Sequence, residues 1–256
     1  SCSWWCRTHD SSRASLEYLY AGQVSPMKTG TLYVVATPIG NLEDISVRAL
    51  QTLKEVDRIA CEHPDRHRKL LTHFGIHRPL LQVSAANEAN SARGIVELLL
   101  RGEDIALVSD AGTPGISDPG KYVVELAREK QIPVVPVPGP SALTAILSVL
   151  GESPKDVMFV GFLPKTPGKL QKMLRAYENF EITFVAFVSS FQIKKFLQKL
   201  NETWGNVEIL IGREITKVHE TWLSGRISDI LLRELPEEGE WTIAVKKWAR
   251  EKEAKG

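Results

Sequence analysis

The 256 residues carry 32 Lys and Arg against 31 Asp and Glu, a formal net charge of +1, so no global field marks a nucleic-acid binder and any such surface must be local. Hydrophobic residues make up 43% of the chain, ample for a packed core, yet no run approaches the roughly 18 apolar residues of a membrane span. Cys2, Cys6 and Cys61 form neither a disulfide framework nor paired C-x-x-C knuckles, which points to a reducing cytoplasm.

Residues 1–26 read unlike the rest: Trp4, Trp5 and two cysteines stand among scattered polar residues without periodicity or an apolar signal core. Met27-Lys28-Thr29 reads as a natural start, so 1–26 is expected to be a non-native or disordered leader. The expected organisation is then an N-terminal α/β domain over 27–150, a C-terminal α/β domain over 151–248 and a tail over 249–256.

Leu32–Ala36 is a buried-type strand ending in Thr37-Pro38-Ile39-Gly40-Asn41-Leu42. Ser46 caps a helix with Val47, Leu50, Leu53 and Val56 on one face. Arg58–Cys61 is a short strand, a basic helix follows from about Asp65, and Leu80–Ser84 is strand-like. Glu88–Arg101 is helical, with Ala92, Ile95, Val96, Leu99 and Leu100 inward and Gly102 as its stop. Ile105–Val108 is a strand and so is Ile132–Val137, whose Pro133 and Pro136 point to exposed strand ends or an edge. Pro138–Ala142 then opens a helix that ends at Gly151. This alternation predicts a mostly parallel, doubly wound sheet. Beyond the boundary at Gly151-Glu152-Ser153-Pro154, strands are expected at Val157–Gly161, Glu181–Val188, Val207–Gly212, Val218–Ser224 and Trp241–Lys247. Helices follow the lysine-rich segment and span Ser190–Leu200 and Arg226–Leu235, so this half predicts a mixed sheet.

The stretch Ser109-Asp110-Ala111-Gly112-Thr113-Pro114-Gly115-Ile116-Ser117-Asp118-Pro119-Gly120 joins a strand to a helix. Ordinary βα connections take about two to six residues, so this Gly- and Pro-rich loop reads as a binding loop. Gly115 to Lys121 fits G-x-x-x-x-G-K, but Tyr122 stands where a P-loop needs a hydroxyl for Mg²⁺, and Pro119 removes one cradle amide. No G-x-G-x-x-G follows a predicted strand either.

Three charged constellations stand out. Cys61, His63 and His67 have metal-ligand spacing with no evident fourth ligand, and Pro64 argues against a regular helix before Asp65, so no metal is assigned. Between Lys155 and Lys199 eight Lys and Arg, Lys165 and Lys169 among them, face three acids, Asp156, Glu178 and Glu181. With Arg66, Arg68, Lys69 and Arg78 they are candidates for binding phosphates, against the plainer reading of solvated helix faces. Arg213-Glu214-Ile215-Thr216-Lys217-Val218-His219-Glu220 packs charges just after a strand, at an active-site rim or in a salt-bridged loop. If extended, it sets Glu214 and Thr216 opposite Arg213 and Lys217.

Taken in order, Leu32 to Ile45, Ser109 to Gly120, Pro138-Gly139-Pro140-Ser141-Ala142 and Arg213-Glu214-Ile215-Thr216-Lys217 resemble the small-subunit ribosomal RNA methyltransferase I family of the tetrapyrrole methylase superfamily. The resemblance spans Thr31 to Lys247. It implies a two-domain class III methyltransferase fold with S-adenosylmethionine in the cleft between the domains, and a homodimer. It also implies 2′-O-methylation of a cytidine in the decoding centre of 16S rRNA, with naked rRNA or the 30S subunit as substrate. The implied cofactor residues are Pro38 and Gly40 in the first turn, Asp110, Ala111, Gly112 and Ser117 in the central loop, and Pro138, Ser141 and Ala142. Thr242 closes the pocket from the second domain, and Arg213 joins the RNA-binding set. In-line methyl transfer needs no metal, and Lys217 and Glu214 are the candidates to orient or deprotonate the ribose hydroxyl.

Three segments depart from the family pattern. Glu62-His63-Pro64-Asp65 replaces Glu-Asp-Thr-Arg, with Arg66 one place late; Ser84-Ala85-Ala86-Asn87-Glu88 replaces His-Glu-His-Asn-Glu; Phe187 to Gln192 replaces Tyr-Glu-Ser-Pro-His-Arg. The alternatives these leave are a methyltransferase for a tetrapyrrole or other small acceptor, and a catalytically impaired cofactor-binding protein.

Overall fold

The computed structural model describes residues 28–83, 87–117, 120–151, 154, 156–236 and 238–246. The expected leader and tail, Ser84-Ala85-Ala86 and Asp118-Pro119 lie outside the described residues.

The first half alternates strand and helix: β1 (Leu32–Val35), α1 (Val47–Glu55), β2 (Arg58–Cys61), α2 (Pro64–His73), β3 (Leu80–Gln82), α3 (Glu88–Leu100), β4 (Ile105–Val108), α4 (Lys121–Glu129), β5 (Val134–Val137) and α5 (Ala142–Ser148). Its five strands are all parallel in the order β3-β2-β4-β1-β5. Central β4 is buried at every position, as a strand covered on both faces by helices must be. Edge strand β5 tolerates Pro136 because no strand lies beyond it to need that missing N–H. Ser46 does cap α1, its hydroxyl accepting from the Ala49 N–H at 3.0 Å.

The second half holds β6 (Val157–Phe162), α6 (Pro167–Tyr177), β7 (Thr183–Ser189), α7 (Ile193–Trp204), β8 (Glu208–Arg213), β9 (Thr221–Arg226), α8 (Ile227–Leu231) and β10 (Glu240–Lys246). The order β6-β7-β10-β8-β9 is mixed: only β6 and β7 run parallel, and the remaining neighbours are antiparallel. Alternating residues divide the sheet between two cores. Phe184, Ala186, Ile211, Trp241 and Ile243 pack with Leu174, Phe196 and Leu197 of α6 and α7. Val185, Leu210 and Ala244 face the other way, onto Ile146 of α5 and Leu150 just beyond it. Helix α5 thus leaves the first sheet and covers the second, which joins the halves through apolar packing.

Several expected details are corrected. Val47 is 78% exposed and Leu100 40%, so neither belongs to its helix's inner face. Helix α2 starts at Pro64 itself, because the first helical position needs no N–H. Strand β9 starts only at Thr221 and α8 stops at Leu231. The segment after β8 is not extended: Glu214 and Thr216 take φ of 52° and 68°, and turn bonds run from Lys217 N–H to Glu214 C=O and from Glu220 N–H to Lys217 C=O.

Candidate active site

Helix α1 carries the chain from β1 to β2 over one face of the first sheet, packing Ala49 and Leu53 with Val35 and Ala106. Helix α4 carries it from β4 to β5 over the other, packing Val123 and Ala127 with Leu32 and Leu107. Neighbouring β1 and β4 therefore send their loops in opposite directions, and a crevice opens outside their carboxyl ends, where doubly wound sheets bind ligands.

The loops at this crevice are tied to one another. Thr37 and Gly112 exchange two backbone hydrogen bonds, of 2.9 and 3.0 Å. The Thr37 hydroxyl donates to the Ser109 carbonyl at 2.9 Å, and the Ser109 hydroxyl to that of Gly112 at 3.0 Å. Gly112 has φ of 79°, and a Cβ there would lie 3.2 Å from Ile39 Cγ2. On the third loop, a Cβ at Gly139 would lie 3.0 Å from Ala36 Cβ. Downstream, the Glu88 carboxylate accepts the N–H groups of Gly120 (2.7 Å) and Tyr122 (3.3 Å), fixing the loop where α4 starts.

A cleft of about 490 Å³ lies here, within the range of small-molecule sites. Pro38, Ile39 and Gly40 line one side, Asp110 and Ala111 the floor, and Arg66, His67, Lys69 and His73 of α2 another wall. Lys217 and Glu240 reach it from the second half. The first turn and the Lys217 segment are in contact: the Asn41 N–H donates to Thr216 Oγ1 at 3.0 Å, and a Cβ on Gly40 would come within 2.5 Å of Lys217 Cγ.

Charge is concentrated at two points. Asp110 Oδ2 lies 2.6 Å from Arg66 Nη1 and 2.8 Å from His63 Nδ1. Asp110 Oδ1 lies 3.4 Å from His67 Nε2, but the alignment makes no hydrogen bond, and both atoms are buried without a partner. Burial pushes the His67 imidazole below its ordinary range, outweighing the lift from Asp110, so it is neutral at neutral pH. Burial also pushes the neighbouring Cys61 thiol up to about 12. At the second point, Lys217 Nζ sits 3.0 Å from both Glu214 Oε1 and Glu240 Oε2. Burial works against this ammonium, but the two carboxylates outweigh it and raise its pKa. For Glu214, burial works against ionisation, but the Glu240 N–H, Lys217 and Arg213 outweigh it and hold the carboxyl below its usual range. The turn thus brings Glu214 and Lys217 to the same side, contrary to the alternation expected of an extended segment.

Of the implied cofactor residues, Pro38, Gly40, Asp110 and Ala111 line this cleft. Gly112 lies behind it, paired to Thr37, and Ser117 sits against Gly161 of β6. Pro138, Ser141 and Ala142 lead into α5, and Thr242 is buried on the α5 face of β10; none of these four lines the cleft. Among the basic candidates, Arg66 and Lys69 face the cleft, while Arg68 is held by Asp65 at 2.7 Å. Lys165 borders a separate groove and Lys169 is exposed on α6. Arg213 is structural: its Nε donates to the Glu238 carbonyl and its guanidinium lies 5.7 Å from the Trp241 ring centroid. Sequence reasoning missed His73 and Glu240 as cleft residues. The β8–β10 pairing brings Glu240 to Lys217, and no local pattern announces it. Cys61, His63 and His67 do not converge, and no three-residue metal-holding group occurs among the described residues.

Two α/β halves, a switch-point crevice and a wall contributed by the second half define an α/β fold built to hold a small molecule between its sheets. Residues 31–231 match the family described as Tetrapyrrole (Corrin/Porphyrin) Methylases. Among solved structures, the methyltransferase CobJ aligns with a TM-score of 0.66 at 18% identity, over 86% of this chain and 95% of that one. Diphthine synthase aligns with a TM-score of 0.63 at 14% identity, over 85% and 90%. Closer relatives are named Ribosomal RNA small subunit methyltransferase I. The protein of Xylella fastidiosa is 43% identical over 231 residues, 88% of this chain and 85% of its own length. That of Leptospira biflexa is 44% identical over 191 residues, 75% and 80% respectively. The chain belongs to the small-subunit ribosomal RNA methyltransferase I family and is a methyltransferase.

Proposed function

We propose that this protein transfers a methyl group from S-adenosylmethionine to the 2′-oxygen of a cytidine ribose in the decoding centre of 16S rRNA. The observation that carries the reading is the crevice between the β1 and β4 loops, whose wall from the second half is a lysine flanked by two carboxylates. The fit is sound on this chain's own residues. The tied loops around Thr37 and Gly112 present backbone groups, and Gly40 leaves no side chain between the first turn and Lys217. Pro38, Gly40, Asp110 and Ala111 hold the cofactor, with Gly112 shaping the loop behind it.

When bound, S-adenosylmethionine supplies a sulfonium methyl that is open to attack and leaves a neutral thioether. The cleft would hold the 2′-oxygen in line with that methyl, with the hydroxyl proton passing to water on the open side so that C–O formation balances C–S cleavage. Lys217, held protonated by Glu240 and Glu214, is a poor base, but its ammonium would stabilise the oxyanion left when the 2′-hydroxyl loses its proton, and so make that oxygen a nucleophile. Glu214 orients Lys217. On the open side of the cleft, Arg66 and Lys69 meet the phosphates flanking the target ribose. The same reading makes the protein a cytoplasmic homodimer. No helix among the described residues is long and apolar enough to cross a membrane.

The test is transfer of labelled methyl to small ribosomal subunits, and separately to naked 16S rRNA, from a strain lacking this activity, with the label then mapped. Label on a decoding-centre cytidine ribose is the expected result. Cofactor binding without label on either substrate would overturn the proposal.

A further inference from the structure

A second concavity, of about 260 Å³, lies between the segment after β6 with the start of α6 and one face of α7 along most of its length. Its floor is apolar, with Leu163, Leu170 and Phe196 all buried. Its rim carries Lys165, Lys195 and Lys199, and Glu202 is the sole acid among its lining residues. Lys199 is bound to Glu202, whereas Lys165 and Lys195 form no ion pair among the described residues. Beside the groove stand Phe162 and Phe191, 63% and 81% exposed. Phe162 packs edge-on against Phe187, with ring centroids 5.5 Å apart, although it faces water.

The sheet sets this groove and the cleft on one edge. Strands β6 and β7 are parallel and β10 is antiparallel to β7, so the ends of β6 and β7 and the start of β10 lie together. Glu240, a cleft residue, is paired with Ser189, which leads into Phe191 and Gln192 at the groove. On the other side, Gly161 lies against Ser117 of the central loop, a Cβ there falling 3.4 Å from the Ser117 hydroxyl. Phe162 and Phe191 thus lie at the end of the sheet that both concavities share.

Resting on the RNA reading above, we propose that this edge is a track for a single-stranded segment of the RNA substrate. Phe162 and Phe191 stack on unpaired bases, and Lys165 and Lys195 take the phosphates between them. Lysines with no ion pair among the described residues, next to exposed rings, match a polyanion with aromatic faces, because lysines bind phosphate in any sequence and every base offers a π-face.

The experiment measures fluorescence anisotropy of a labelled, unstructured oligoribonucleotide with the full chain over a range of salt. Two double variants are compared, Phe162→Ala with Phe191→Ala, and Lys165→Ala with Lys195→Ala. The aromatic variant should bind about tenfold more weakly per ring lost, with the salt slope unchanged. The lysine variant should lose about 0.7 of that slope per lysine. Melting temperature and affinity for S-adenosylmethionine should match wild type in both. Equal RNA affinity of the aromatic variant and wild type overturns the track, as does failure of wild type to bind the oligonucleotide. Conversion of a dimer to a monomer with RNA affinity intact also overturns it, making the face an interface between copies. Methyl transfer to subunits in any of those cases leaves the proposed activity standing. Ring-dependent RNA binding without methyl transfer supports the track and removes the activity.

Discussion

Gly40→Ala tests how tightly the first turn and the second half close on each other. The added Cβ would sit 2.5 Å from Lys217 Cγ, 2.7 Å from Thr216 Oγ1 and 3.0 Å from the Ile215 carbonyl oxygen. The lysine stem can swing, but the carbonyl is backbone, so the 214–217 turn must move outward. Overpacking of this kind costs about 1–3 kcal/mol. For a chain of this size that is about 2–4 °C per kcal/mol, or roughly 2–12 °C in melting temperature. Because Gly40 and Lys217 share the cleft, affinity for S-adenosylmethionine should fall as well. Gly94→Ala is the control: in mid-α3 with nothing within 4 Å of the new Cβ, it should stabilise the protein by about 0.5–1 kcal/mol. Thermal melts and calorimetric titration of both variants decide the matter. A Gly40→Ala protein with wild-type melting temperature and affinity would refute the tight contact.

Acid should weaken the fold through His67. Its pKa is depressed in the folded state, so below about pH 6.5 the unfolded chain binds a proton that the native chain refuses, and stability falls as pH drops. Denaturant midpoints between about pH 7 and 5 should show that fall, and His67→Gln should flatten it; an unaltered profile would exclude His67 as the source. Lys217→Met should leave cofactor affinity near wild type while lowering methyl transfer by about 10²-fold, as for loss of one preorganised electrostatic partner. Full activity of that variant, read in the labelled-methyl assay, would remove Lys217 from the reaction centre. The Cys61 thiol, buried and raised to about 12, should resist a thiol reagent at neutral pH until the chain is unfolded by denaturant. Rapid labelling of the native protein at this residue would contradict that burial.

Much of the architecture was legible from local pattern. Apolar runs such as Ile105–Val108, separated by amphipathic helices, can bury their faces only as a parallel sheet covered on both sides, and Pro136 marks an edge because proline cannot donate to a second neighbour. The long Gly- and Pro-rich loop read as a binding loop because ordinary connections are shorter, and its Asp110 and Ala111 line the cleft. Pairings across the chain were not legible. Periodicity makes Glu214 and Lys217 opposites along an extended strand, yet positive φ at Glu214 and Thr216 folds the segment back and brings them together. Asp110 reads as a cofactor acceptor, and only the packing of α2 against the first sheet brings Arg66, His63 and His67 to it. Likewise α5 reads as the end of the first domain, while its apolar face is buried on the second sheet. Sequence determined the elements and the long loop that reaches the cleft, because those follow from neighbours a few residues apart. The walls of the cleft were decided by tertiary structure, since Gly40, Asp110, Lys217 and Glu240 meet only when strands distant in the chain are laid side by side.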